Sequence, residues 1–596
     1  MSFIYIWKSE NIEPEHAAAK FSSIIRQQAT LYSSAYGRDF SWSSKAIGEI
    51  HIGQIDLIKG VNEWESWVDC DRYGIAWSGV CDHFLGIHLD AEQIKSIHDI
   101  SLSEPKTMAE WSGNFAFAAW DSENETITIN AGATQSQPLW YTRGPQGWAC
   151  GSRSAVVLDM VGRDKVFDSD QARLFLVSSY HMADNAFFQG VNRLEPRHQI
   201  LLRRSNRPVF QEYVTLADYL TSGFEPATES GEIYHICAEN VRSRVRRQIR
   251  HSQHPVLLLS GGKDSRAIGA AIYKNGDSIT SLAGGATGSP ELEIARNVSR
   301  VLGFAHTVDL HQADLLSLLV SQPDRAKLWL RLCEGLQNLR QGLHDGFFNE
   351  RLPIYDVDTQ FFLGLHYGML KPKTLNWGSK TQFKGRFLRY GVKPGGRSSE
   401  TISDLIEKTD NTKKSILNDT ESDESWAFMF YWQNRGSLWG SDAISVMLPA
   451  AWWWTPLVDR TLVQYTWWLF NERQRGTSLV DEMTAINAPQ LGLVPDIYER
   501  KRSKGKWGRV QDKISRKVTS SKPYKSFFKN AYRFNSQYFP ISNQREKMWQ
   551  EFFENNTFAW REFCDKECVR DIIKRKPDSS ILWNLATIEL FSQEYL

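Results

Sequence analysis

Apolar and polar positions alternate in short runs over residues 1 to about 215, and turns separate the runs. Residues 111–121 alternate and end in a turn at 121–125; residues 126–130 pair back as a hairpin, and residues 138–141 start another strand. From about residue 225 the pattern changes. Residues 233–248 carry an amphipathic helical period. Residues 256–259 form a short unbroken apolar run, as a buried parallel strand does, and residues 267–273 predict a helix packed on it. Residues 278–283 predict the next parallel strand, and residues 361–363 a further one, followed by a loop at 364–368. Residues 401–425, rich in Asp, Glu, Ser, Thr and Lys, predict a mobile flap, and no internal repeat appears. The expected units are 1–215, 225–515 and a helical extension over 516–596. The fold class is α/β plus α+β.

Chemistry concentrates where the first parallel strand ends. Leu259 closes the apolar run, and Ser260-Gly261-Gly262-Lys263-Asp264-Ser265 leads into the helix. Strand, glycine turn and helix together point backbone N–H groups and a helix N-terminus at an anion. The glycines let the main chain approach phosphate oxygens, and Ser260 and Ser265 offer hydroxyl donors. Asp264 beside phosphates is repulsive unless a cation intervenes, so the loop predicts a magnesium-bound polyphosphate. The residue order is not that of a Walker loop.

Composition narrows the classes. The 70 Lys and Arg balance 69 Asp and Glu, so no global field recruits nucleic acid or membrane. Seven scattered cysteines give no disulfide framework. Cys564 and Cys568 sit four apart with no second pair to complete a zinc site, and buried thiols are expected. No apolar run approaches ~18 residues and no signal peptide opens the chain, so a cytoplasmic setting is expected. Much of the 23 tryptophans is expected to be core, yet so many rings also suit a large apolar or peptidic substrate surface.

Ser-Gly-Gly-x-Asp-Ser after a strand resembles the loop of the ATP pyrophosphatases. The run from Gly288 to His306 resembles the asparagine synthetases, G-S-P-D-L-x-x-A-x-x-V-x-x-x-L-G-x-x-H, with Glu291 for the Asp. The first domain resembles the class II glutamine amidotransferase domain of that family through residues 113–121, 138–141, 151–152 and 188–196. The resemblance implies an αββα sandwich of the N-terminal nucleophile hydrolases. A parallel-sheet adenine-nucleotide α-hydrolase (PP-loop) domain with a helical C-terminal part would follow. It also implies ATP and Mg2+ as cofactors, adenine contacts from Leu282, Ala283 and Gly284, and magnesium held by Asp264. The family's second loop carries an acid that this chain lacks at 364–370, which leaves two readings: Asp356 or Asp358 supplies it, or Asp264 holds magnesium with pyrophosphate oxygens and water alone. Tyr367 corresponds to a tyrosine that helps deprotonate the attacking amine in the related β-lactam synthetases. Lys504, with Lys501 as rival, corresponds to the lysine that stabilises transition-state charge. Pro456 and Asp459 fall in register with a further family motif, whose arginine is replaced by Trp454; Arg435 resembles the arginine of the helix before it. His306 is expected to be structural.

One departure redirects the function. The family's glutaminase nucleophile is a cysteine at position 2, where this chain has Ser2. The first domain is therefore expected to keep the fold without glutaminase activity, leaving the amine to come from the substrate. An ATP-dependent, AMP-forming carbon–nitrogen ligase follows, as in the cyclases that close the isopeptide ring of lasso peptides. Such an enzyme would take a precursor peptide and work beside a leader-binding protein and a precursor peptidase. A small-molecule carboxylate, as for the β-lactam synthetases, and a degenerate nucleotide-binding scaffold are the other two readings. The cationic stretch 501–533 reads as a solvated face, with docking of an acidic or extended polypeptide as the sharper alternative.

Overall fold

A computed structural model describes residues 2–57, 66–84, 89–182, 184–204, 206–225, 230–285, 289–310, 315–340, 359–364, 397–416, 423–447, 451–471, 478–494, 542–556, 559–564, 566–575 and 579–595. The first half has twelve strands: β1 (Ser2–Ser9), β2 (Phe40–Ile47), β3 (Ile50–Leu57), β4 (Trp67–Cys70), β5 (Tyr73–Cys81), β6 (Gly113–Asp121), β7 (Thr126–Ala131), β8 (Trp140–Gly144), β9 (Gly147–Gly151), β10 (Asn192–Arg193), β11 (His198–Arg203) and β12 (Val209–Glu212). They form two antiparallel sheets, ordered β10-β8-β9-β1-β3-β2 and β12-β11-β7-β6-β5-β4. Ile4, Ile6 and Ile52 of one sheet meet Ala116, Ala118 and Trp120 of the other in a shared core. Helix α1 (Pro14–Tyr36) covers the outer face of the first sheet, packing Phe21 and Ile25 with Trp7. Helix α2 (Ala91–Ser103) covers the second, with Ile94 and Ile97 against Phe115 and Phe117. The result is a four-layer α–β–β–α sandwich. Alternation in residues 113–121 therefore separates two buried faces rather than a dry face from a wet one, and every residue of β6 is buried. Helices α3 (Ser154–Val161), α4 (Ser169–Ser178) and α5 (Leu216–Thr221) complete this half.

The second half begins with α6 (Ser230–Arg250) and continues β13 (His254–Leu258), α7 (Lys263–Asn275), β14 (Thr280–Gly285), α8 (Pro290–Leu302), β15 (Ala305–Leu310), β16 (Thr359–Phe362) and β17 (Trp452–Trp454). The five strands lie in the order β15-β14-β13-β16-β17 and every pairing is parallel. A parallel sheet needs cover on both faces, and the apolar run of β13 supplies side chains to both. Leu257 joins the core shared with α6 and α7, and Val256 joins a second one with Phe361 and Trp453.

Two segments differ from their sequence reading. Residues 401–416 of the expected flap belong instead to a helix, Arg397–Ile416, packed against α4 and α5, and residues 417–422 lie outside the described residues. Its Ile402, Leu405, Ile406 and Thr409 are buried at one-face helical spacing, under a composition that is otherwise polar. The helix Ser580–Tyr595 near the C-terminus is buried on all sides, and Phe591 meets Phe187 and Phe188 of the first half. Asn584 Nδ2 donates to the carbonyls of Phe175 and Leu176 at 3.3 and 2.8 Å, closing the end of α4. This last helix is core, built in between the two halves.

Buried polar contacts also join the halves. Glu334 accepts from the backbone N–H groups of Ser154 and Ala155, so its carboxylate caps α3 from across the junction. Arg153 Nε donates to Tyr32 Oη at 3.0 Å and to the Leu332 carbonyl at 2.9 Å. Arg244 Nε donates to Asp82 at 2.7 Å.

Candidate functional site

The strand order reverses at β13: its chain neighbour β14 lies on one side and β16 on the other. Parallel α/β sheets bind ligands at such a reversal, outside the carboxyl ends of the strands. Residues 259–265 occupy that position. Leu259 N donates to the Leu282 carbonyl at 2.8 Å, extending the ladder one step beyond β13. The chain then leaves the sheet and becomes α7 within four residues.

The two serines build this loop rather than simply lining it. Ser260 N donates to Ser265 Oγ at 3.0 Å, the two hydroxyl oxygens lie 3.1 Å apart, and Gly262 N donates to Ser260 Oγ at 3.1 Å. One hydroxyl proton of the pair is spent between them, leaving one to offer outward. Gly262 caps α7 without any side-chain hydrogen bond, so no cap side chain takes the first-turn N–H groups from a ligand.

A second helix starts at the same point. Ser289 caps α8 by accepting from Glu291 N at 3.3 Å, and a β-carbon on Gly261 would lie 3.2 Å from Glu291 Cα. The positive ends of two helix dipoles thus meet beside the glycine turn. From β16, Gly364 comes so close that a β-carbon on it would sit 2.6 Å from Ser265 N and 2.8 Å from Asp264 Cβ. Only glycine permits that approach, which places the start of the second loop directly against the first.

The other residues singled out in the sequence fall as follows. Asp264 stands half-buried in the first turn of α7. Leu282 and Ala283 are buried at the end of β14 and Gly284 is exposed beyond them. Lys263 Nζ lies 2.5 Å from Asp481 Oδ2, on the helix Leu479–Asn487. Arg266 Nη1 donates to the Val494 carbonyl at 2.6 Å. His306 Nδ1 is 2.8 Å from Ser281 Oγ, which also meets Ser299 Oγ at 2.9 Å; burial lowers the ring's pKa, as suits a structural histidine. Tyr367, Lys501, Lys504, Asp356 and Asp358 lie outside the described residues. Among the described residues no group of three or more His, Cys, Asp or Glu could hold a metal ion, so Asp264 is the one described member of the expected metal pair.

Asp459 belongs to the junction between the halves. Its carboxylate accepts from Ser112 Oγ at 2.8 Å, Asn240 Nδ2 at 3.2 Å and Leu462 N at 3.1 Å, the last at the start of helix Arg460–Asn471. Trp454 donates from its indole to Gln360 Oε1 at 3.0 Å and Ser252 Oγ at 3.1 Å, and so serves the sheet. Arg435 lies on the π-helical segment Tyr431–Trp439.

At the start of the sandwich, Ser2 is buried in β1 and its hydroxyl donates to the Trp77 carbonyl. Gln54 Nε2 reaches Ser66 Oγ at 2.7 Å and Trp77 O at 3.3 Å, and Gln137 Nε2 donates to Asn114 Oδ1 at 2.7 Å. Sequence reasoning missed these amide side chains, because they are spread between residues 54 and 137 with no fixed spacing. All seven cysteines are free, five of them buried, and burial pushes thiols such as Cys81 and Cys150 well up. Among the described residues no helix is long and apolar enough to cross a membrane.

Comparison with known proteins bears on both halves. A model of the glutamine amidotransferase domain matches residues 90–214, and a model of asparagine synthase matches residues 237–325, including the glycine loop. Provisionally named asparagine synthetases (glutamine-hydrolyzing) of Mycobacterium bovis and Mycobacterium tuberculosis are 26% identical over 211 residues, 34% of this chain and 32% of theirs. The chain thus matches about a third of the length of these curated relatives. A solved structure titled as the allosteric regulatory enzyme of purine biosynthesis covers 52% of this chain and 80% of its own, at 10% identity and a TM-score of 0.24, too low an overlap to bear on the fold.

An amidotransferase-type sandwich in front of a parallel-sheet domain with a phosphate-type loop defines the class. Both family models match in that order on one chain, so its two halves carry regions similar to the glutamine amidotransferase domain and to asparagine synthase.

Proposed function

We propose that this chain is an ATP-dependent amide ligase that forms an acyl-adenylate and releases AMP. The observation that carries the reading is the loop from Ser260 to Ser265 at the strand-order reversal, where the N-termini of α7 and α8 meet. Such a cradle suits the β- and γ-phosphates of ATP. A substrate carboxylate oxygen attacks the α-phosphorus, the bond to the bridging oxygen breaks, and pyrophosphate leaves. An amine nitrogen then attacks the acyl carbon, loses a proton, and expels AMP as the C–O bond breaks.

Asp264, half-buried beside the cradle, fits one ligand of a magnesium ion that the phosphates themselves would help to hold, with Asp358 as the second acid. That ion would neutralise polyphosphate charge. Lys504, or its rival Lys501, would offset charge at the reacting phosphorus and at the later tetrahedral oxyanion. Tyr367 would help to remove the amine proton.

The source of the amine sets the subtype. A hydroxyl stands at position 2, buried and bonded to a backbone carbonyl, which supports an amine donor other than glutamine, most simply the same substrate. The finer reading is a macrolactam cyclase of lasso-peptide type, acting on a precursor peptide beside a leader-binding protein and a precursor peptidase. The tryptophan excess supports a peptidic substrate. Mass spectrometry of a candidate linear peptide with Mg-ATP tests it. Loss of one water with stoichiometric AMP is expected. AMP formed only with a small β-amino acid carboxylate would favour a β-lactam-type synthetase, and failure to form AMP with substrates of either class would leave a nucleotide-binding scaffold. Asp264→Asn should abolish AMP formation; unchanged turnover would sink the site assignment.

A further inference from the structure

Lys263 stands between the glycines and the aspartate of the loop. Lys263 is the first residue of α7, and its four-carbon stem rises directly after Gly262. A long cation there can follow any polyphosphate seated on the loop. In this structure its ammonium lies 2.5 Å from Asp481 Oδ2, both side chains partly exposed at 24% and 41%. Asp481 sits in the first turn of helix Leu479–Asn487, which packs along α7 and α6. Arg266, one turn further along α7, donates to the carbonyl of Val494, which closes the short 3-10 turn Pro489–Leu493 after that helix. The helix bearing Asp481 and the turn that follows it are thus each tied to the loop helix.

We infer that Asp481 is a positioning residue for Lys263, holding the ammonium beside the loop and moderating its grip on the pyrophosphate end of the nucleotide. The inference rests on the nucleotide reading of the loop. An exposed carboxylate–ammonium pair is worth little, commonly under about 1 kcal/mol, so it yields readily to a multiply charged phosphate. Exchange between the two partners lets Lys263 help bind ATP without retaining pyrophosphate after cleavage. Asp481 keeps a competing anion within reach, so leaving pyrophosphate finds its counterion already claimed.

Calorimetric titration of pyrophosphate and of ATP, each with magnesium, reads this directly on the full chain. Asp481→Asn should tighten pyrophosphate about fivefold, the scale expected for losing one exposed competing carboxylate. The KM for ATP should fall in parallel and kcat should drop as product leaves more slowly. Asp481→Glu should restore wild-type values. In a Lys263→Met background the Asp481→Asn change should have no effect, which separates positioning from a general role in helix packing. Unchanged pyrophosphate affinity in Asp481→Asn, or an equal effect in the Lys263→Met background, overturns the inference while leaving the nucleotide site standing. Wild-type protein that binds neither ATP nor pyrophosphate would instead sink the nucleotide reading, and the role of Asp481 with it.

Discussion

Arg193 Nη1 lies 2.8 Å from Asp442 Oδ1, and both side chains are withdrawn from solvent. Arg193 ends β10 of the sandwich, whereas Asp442 stands on helix Gly440–Met447 of the second half, so the pair spans the junction. Neighbouring contacts reach the same stretch of chain: Gln135 Nε2 donates to the Gly436 carbonyl at 2.8 Å, and Arg153 Nη1 to Ser445 Oγ at 3.2 Å. Burial pushes the Asp442 carboxyl up to about 6, outweighing the opposing pull of Arg193. Desolvation therefore exceeds attraction, which marks the pair as a device for register between the halves more than a source of stability.

Breaking one side of the pair should cost more than removing both. Arg193→Met leaves the Asp442 carboxylate buried without its counterion, an expected loss of about 3–5 kcal/mol. The double change Arg193→Met with Asp442→Leu should recover most of it. Urea unfolding followed by tryptophan fluorescence measures both, and a double variant as unstable as the single one would contradict the assignment.

The same pair predicts a pH dependence. The folded protein holds the Asp442 proton more tightly than the unfolded chain does, so this group's contribution is fully present below the ordinary carboxylate range near 3.9. It is lost as pH rises through about 6. In Arg193→Met the carboxyl titrates higher still. The melting-temperature gap between wild type and Arg193→Met should therefore widen from pH 5 to pH 8, and a gap that is constant or narrows would contradict the sign.

At the loop, Gly364→Ala forces a β-carbon to within 2.6 Å of Ser265 N unless the backbone shifts. Backbone cannot yield as a side-chain tip does, so the first loop should move. ATP affinity is expected to fall at least about tenfold, a loss of roughly 1.4 kcal/mol or more. The melting temperature should change little, because Gly364 lies beyond β16 and the strand's core residues Phe361 and Phe362 are untouched.

Deleting the helix Ser580–Tyr595 should prevent folding of the whole chain rather than trim an appendage. It buries Ile581, Leu582, Trp583, Leu585, Ile588, Leu590 and Phe591. At roughly 1.5–3 kcal/mol each, these seven exceed the stability that a typical domain can spare. Recovery of soluble protein after truncation at 579, compared with the full chain by size-exclusion chromatography, checks this.

Local pattern made much of the molecule readable. The hairpin from β6 to β7 is adjacent in sequence and announces itself by alternation and a turn. The glycine loop needs only the residues between one strand and one helix, so its chemistry is contained in a dozen positions. The helix Arg397–Ile416 was missed: Ile402, Leu405, Ile406 and Thr409 mark one helical face, but the polar composition around them obscured it. The helix Ser580–Tyr595 offered no such stripe, because a helix buried on every side has no polar face to contrast with.

By itself the sequence determined the two kinds of sheet, the phosphate-type loop and the serine at position 2, each set by neighbouring residues and their periodicity. Tertiary structure alone decided what stands around them. Glu334 caps a helix 180 positions away, Arg193 meets Asp442 across the junction, and Lys263 meets Asp481 across 218 positions. Such partners are chosen when the chain packs and buried charges must find counterions, and no local spacing records that choice.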